Sequence, residues 1–280
     1  MENSMLNRMK VLSATLALTL ISQTSFASST VSTTSEIALE QVAQEKGMEI
    51  SLETKSRDTG WMDFTADMLM TLRNEQGQES VREVKMKSLE VETDGDKSLT
   101  VFNQPRDVKG TAFLSYSHSV GADDQWLFLP ALKRVKRISS RNKSGPFMGS
   151  EFSFEDLSSF EIEKYTYQYL GDELVDGMDS FKVAQFPTDE NSGYTKRIVW
   201  VDKQEYRIIK VEFYDRKKSL LKTLSYNDFK LYLDKYWRAN TSNMVNHQSG
   251  KSTELKWNNY EFKTGLNDAD FSRNSLKRVR

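Results

Sequence analysis

The sequence contains no cysteine and only two histidines, His118 and His247. A disulfide scaffold, a thiolate metal site and a cysteine nucleophile are thereby excluded, and a histidine-rich catalytic metal centre is not expected. There are four prolines, and no low-complexity linker divides the chain. Neither sign of charge dominates: 39 Lys+Arg against 40 Asp+Glu give a net charge of -1, which argues against a dedicated nucleic-acid binder. The G-x-S-x-G elbow of acyl hydrolases is absent. Gly145 and Gly149 lie four apart but lack the Lys-Ser/Thr that completes a phosphate-binding loop. No catalytic residue, metal ligand or cofactor site is therefore expected. What the chain does have is 38% hydrophobic and 11% aromatic content, enough for a packed core.

Residues 1–27 read as a signal peptide. Arg8 and Lys10 precede the uncharged run at 11–21, and Ser25-Phe26-Ala27 supplies a small-x-small cleavage site. That run is too short for a membrane span, which needs roughly 20 residues. The residues after it, Ser28 and Ser29, offer no cysteine for acylation. The expected mature protein is soluble, exported and a single domain over 28–280.

Within it, Thr33-x-x-Glu36 resembles a capping box and Gly47 a stop, which predicts a helix over about residues 34–46. The period then changes to two. Met62, Phe64, Ala66, Met68, Met70 and Leu72 alternate with polar residues, predicting a long strand with one apolar face. A returning strand is expected at 81–91. Further strands are expected near 98–103, 111–117, 124–130, 134–139, 164–171, 179–186, 195–202, 207–214, 220–227, 236–246 and 253–262. Hairpin-joined strands in this number imply a mainly β antiparallel sheet that curls or closes.

Two features bear on function. Met62, Phe64, Met68 and Met70 form either the lining of a cavity that accepts flexible apolar ligands or ordinary core. On 124–130, either Trp126 with Phe128 or Leu127 with Leu129 looks inward, and the first pair is preferred. The second feature is a basic block. Lys133, Arg134, Lys136, Arg137, Arg141 and Lys143 put six cations within residues 133–143, with no acid between Asp124 and Glu151. A Gly/Ser loop and an acidic stretch follow, interleaved with Phe147, Met148, Phe152 and Phe154. This segment is either a solvated hairpin or an aromatic flap hinged at Gly145 and Gly149, beside cations that meet lipid phosphate or an acidic partner.

The block DQWLFLPALKRVKRISSRNKSGPFMGSEFSFEDL (124–157) resembles the signature segment of outer-membrane lipoprotein-sorting proteins of the LolA-like superfamily. Supporting it are PRDVKGTAFL (105–114), SGYTKRIVWVDKQEYRIIKVEFYD (192–215) and GLNDADFS (265–272). The resemblance implies a strongly curved, incomplete antiparallel β-barrel covered by a few α-helices. It also implies a periplasmic, non-enzymatic carrier that shields the acyl chains of a lipid or lipoprotein, with a Gram-negative RND/MMPL-type exporter as a further partner. The ligand-binding set expected on this reading is Met62, Phe64, Met68, Met70, Trp126, Phe128, Phe147, Met148 and Phe152. Lys133, Arg134, Lys136, Arg137 and Arg141 would contact a headgroup or partner. The alternative is an accessory module that binds the exporter and carries nothing.

Overall fold

The computed structural model describes residues 26–277. The signal peptide expected over residues 1–27 lies outside them except for its last two residues. One helix, α1 (Phe26–Arg57), precedes the sheet. Gly47 does not stop it, and the Thr33–Glu36 pair falls inside the helix instead of at its start. Past Gly47 the helix is held by the Ser51 hydroxyl donating to the Gly47 carbonyl at 2.9 Å and by a Glu53–Arg57 pair at 2.7 Å. Gly47 serves a close approach: a Cβ there would sit 2.9 Å from the Tyr169 nitrogen and 3.0 Å from the Gln168 backbone.

Thirteen strands follow. They are β1 (Asp63–Arg73), β2 (Glu79–Leu89), β3 (Lys97–Gln104), β4 (Ala112–Tyr116), β5 (Asp124–Leu129), β6 (Arg134–Ile138) and β7 (Tyr165–Val175). The rest are β8 (Met178–Pro187), β9 (Tyr194–Asp202), β10 (Ile208–Asp215), β11 (Leu220–Tyr232), β12 (Tyr236–Asn246) and β13 (Ser252–Phe262). Each corresponds to a strand expected from the two-residue period. All pair antiparallel in the order β6-β5-β4-β3-β2-β1-β13-β12-β11-β10-β9-β8-β7. Every neighbour is consecutive in sequence except β1 and β13, which join the two halves of the meander.

The sheet is not closed: β6 and β7 are its edges. Ile138 on β6 and Tyr167 on β7 nevertheless share one hydrophobic core with Met68, Val84, Phe113, Val199 and Leu224, so the sheet curls until both edges face the same interior. Because β6 and β7 are consecutive in sequence, their connection, residues 139–164, has to cross that open side.

Registers fix which face is which. Met68 opposes Val84, Val84 opposes Phe102, and Phe113 opposes Leu127. All five belong to the interior core. The expectation that Trp126 and Phe128 look inward is corrected. Leu114 opposes Trp126, and that outer face is covered by the C-terminal segment through Phe271 and Leu276. Both faces of β5 are thus covered, so alternation alone could not tell them apart.

A candidate groove beside a packed seam

The segment expected to be a hinged flap is a plug. Phe147 is 1% exposed and sits with ring centroids 5.1 Å from Phe113, 5.8 Å from Phe102 and 5.7 Å from Phe154. Phe152 is buried in the same core, with Met148 packed against it. Gly145 and Gly149 flank these rings, but the Gly145 carbonyl accepts from the Phe154 amide at 3.1 Å, and Pro146 bridges Ser153. Only Gly149 takes the left-handed backbone, at φ 78°.

A polar latch fixes the plug to the sheet. The Lys222 ammonium donates to Asp156 at 2.6 Å and to the Glu151 carbonyl at 2.8 Å. The Tyr194 hydroxyl donates to Asp156 at 2.8 Å. Glu155 accepts from the Gly193 amide and the Ser192 hydroxyl, both at 2.8 Å. Burial, reinforced by the Asp156 and Glu155 carboxylates, pushes the Tyr194 hydroxyl well above the usual phenol range, which keeps it a donor. Burial and the neighbouring Asp156 also raise the Glu155 carboxyl. Glu155 and Asp156 are therefore consumed internally.

The expected apolar ligand set divides accordingly. Met68 and Met70 are interior core, capped by the plug. Phe64 belongs to a separate aromatic cluster with Trp61 and Tyr236. Met62 precedes β1 with φ 68° and is 57% exposed, so it lines nothing. Its neighbour Asp63 takes the buried place, accepting from the Thr264 amide at 2.7 Å and hydroxyl at 2.6 Å.

Open space lies elsewhere, in a groove of about 1310 Å³ between α1 and strands β7 and β8, whose lining mixes apolar and aromatic residues with Glu45, Glu49 and Glu53 of the helix. Met48, Ile50 and Leu52 line it from the helix, and Tyr165, Tyr167 and Phe181 from the strands, with Tyr206 at one side. Met48 and Leu52 are exposed. Lys46 sits 3.8 Å from the Tyr169 ring centroid and Arg57 4.5 Å from that of Tyr206, favourable stations for cations over aromatic faces. Such a volume exceeds the few hundred to 1,000 Å³ typical of drug-sized pockets. None of these residues was in the expected set. The available signal was Tyr165-Thr166-Tyr167-Gln168-Tyr169, whose alternation places three tyrosines on one face.

The basic block forms β6 and its flanks. Arg137 pairs with Asp124, and Lys143 with Asp189 at 2.5 Å. Among the described residues, Lys133, Arg134, Lys136 and Arg141 are exposed and have no carboxylate within ion-pairing distance. Also among the described residues, no group of three or more His, Asp or Glu is placed to hold a metal ion, and no helix is long and apolar enough to cross a membrane.

Comparison with known proteins places this architecture. A family described as "uncharacterized protein" matches residues 94–278. A domain described as an outer-membrane lipoprotein-sorting protein from Vibrio parahaemolyticus is similar with a TM-score of 0.83 and 65% identity, covering 84% of this chain and 100% of that one. A DUF1329 family protein from Desulfovibrio piger is similar with a TM-score of 0.79 and 28% identity, covering 84% and 99%. A LolA superfamily protein from Nitrosomonas europaea shares the fold, with a TM-score of 0.67 and 21% identity over 82% and 98% of the chains. No curated protein matches the chain. With 65% identity over the whole of the Vibrio domain and the curled, unclosed sheet described above, the chain belongs to the outer-membrane lipoprotein-sorting protein family.

Proposed function

We propose that the protein is a periplasmic carrier that holds the acyl chains of a lipid or lipoprotein non-covalently and passes them toward the outer membrane or an exporter. The observation that carries this reading is the open groove between α1 and β7–β8, in a chain with a lipoprotein-sorting fold and an N-terminus whose sequence reads as a signal peptide. Each methylene moved from water contributes about 0.8 kcal/mol, so a chain of about fifteen methylenes is held by on the order of 10 kcal/mol. A groove of this size supplies that burial without any covalent step. Handover then requires something that lowers the affinity of the groove, since a ligand moves an equilibrium only through differential binding.

The acyl-binding residues proposed are Met48, Ile50, Leu52, Tyr165, Phe181 and Tyr206, in place of the core residues Met68 and Met70. The test is native mass spectrometry of detergent-free protein mixed with envelope lipid extract. Lipid-bound species are expected. They should be lost in Met48→Glu combined with Leu52→Glu, two exposed changes that leave the fold intact. Absence of any lipid-bound species in the unaltered protein would contradict the proposal. Association with an RND/MMPL-type exporter is a second reading, supported by the unpaired cations on and beside β6.

A further inference from the structure

We infer that the free edge of β6 is a docking strand for an acidic, extended segment of a partner protein, which joins the sheet by strand addition. Three independent observations meet there. First, β6 pairs with β5 alone, and among the described residues no backbone hydrogen bond leads from 134–138 to any other element. In an antiparallel pair, alternate residues direct their N–H and C=O groups away from the neighbour. Such a row is a ready template for another strand. The opposite edge strand, β7, instead has α1 pressed against its backbone at Gln168 and Tyr169.

Second, the cations have a register. Arg134 opposes Leu129 and Lys136 opposes Leu127, so the two share one face, with Lys133 and Arg141 at the ends of the strand region. Third, nearby acids are already engaged. Asp124 holds Arg137, Asp189 holds Lys143, Asp156 holds Lys222 and Glu161 holds Lys55. The four remaining cations therefore present uncompensated charge beside unpaired backbone.

Like charges on an edge discourage two copies of the same chain from pairing. The same row selects a complement with acids at alternate positions, facing Arg134 and Lys136, and a small or apolar residue facing Val135. A phospholipid surface matches the charge but offers no backbone to the ladder, and the extended edge therefore favours a peptide. This inference deepens the partner reading of β6 and is independent of lipid carriage.

The test is amide NMR of the nitrogen-15-labelled protein, titrated with a blocked hexapeptide alternating Glu and Val. Shifts concentrated on residues 134–138 are expected. Two versions of the peptide, N-methylated on either alternate set of amides, keep the charge but block one hydrogen-bonding edge, and one version should fail to bind. Arg134→Glu with Lys136→Glu should weaken binding by about tenfold or more, with lipid uptake by native mass spectrometry unchanged. Equal binding by all peptide versions would reduce the site to charge alone and overturn strand addition. So would an unshifted β6, including the case in which phosphatidylglycerol vesicles, and not the peptide, engage these cations. Loss of lipid uptake in the unaltered protein would count against the carrier reading and leave this one standing.

Discussion

A single glycine decides how closely α1 meets the sheet. In a helix interior glycine is worse than alanine by roughly 0.5–1 kcal/mol, so Gly47→Ala would ordinarily stabilise. Here the added carbon would lie 2.9 Å from the Tyr169 nitrogen. The expected outcome is destabilisation by about 1–3 kcal/mol, seen in urea unfolding together with faster proteolysis of α1; a gain in stability would show that the contact does not limit the approach. Lys222 and Asp156 are the second residue-scale test. Their side chains are 4% and 5% exposed, and Lys222→Met leaves a buried carboxylate unpaired at a cost of about 3–5 kcal/mol. Adding Asp156→Asn removes that charge and keeps one acceptor oxygen, for either the Tyr194 hydroxyl or the Ser153 amide, and should recover part of the loss in a double-mutant cycle. At this scale the sequence was least informative. An alternating methionine looks the same whether it lines a cavity or is capped by Phe147, because the capping residue arrives from about eighty positions away. Gly47 read as a stop because a close approach to β7 leaves no trace in local sequence.

At the scale of elements, the period of two located every strand, since a half-covered strand must alternate. Two ends were misjudged for a common reason. β7 runs on to Val175 through an irregularity at Gly171, whose φ is 119°, and β11 continues to Tyr232 past Asp228, whose φ is 54°. A positive φ does not end either strand: Gly171 is taken up by a bulge, and at Asp228 the pairing with β12 keeps its register, Asn227 opposite Thr241 and Phe229 opposite Ala239. The β1–β13 pairing had no local signal at all.

The loops near the seam carry a pH dependence with a definite sign. His118 contacts Asp94 at 2.7 Å and Asp124 at 3.4 Å, with Arg137 also on Asp124. The hydrogen bond to Asp94 leads in raising the imidazole above its usual value, so its stabilisation is complete below the unfolded value and is lost as pH rises through the folded one. Burial pushes Asp96 up to about 6 against the pull of the Val91 amide and Lys55. The folded state thus favours the protonated carboxyl, and stability falls as pH rises toward that value. Asp94 is held low by His118, and its contribution is lost only in stronger acid. Tm should therefore be higher at about pH 5.5 than at about pH 8. His118→Gln should narrow the gap, and a Tm that climbs steadily across this interval would contradict the assignment.

At the scale of the whole molecule, the resemblance carried by residues 124–157 led to the right family, while its most specific stretch proved to be structural. The aromatics of that stretch fill the open side of the sheet and two of its acids latch them down, leaving Lys133, Arg134, Lys136 and Arg141 exposed to solvent. Met68→Asp consequently tests folding and not cargo: it puts a carboxylate into the core, and loss of the strand signal in circular dichroism is expected. The open groove lies beside α1 instead, lined by exposed Met48 and Leu52 and by Tyr165 and Phe181, and is the proposed cargo site. The most direct test is photo-crosslinking with a diazirine-bearing fatty acyl probe, followed by peptide mapping. Labels concentrated on residues 44–56 and on the strands carrying Tyr165 and Phe181 are predicted. No label, or label spread evenly over the surface, would contradict the account.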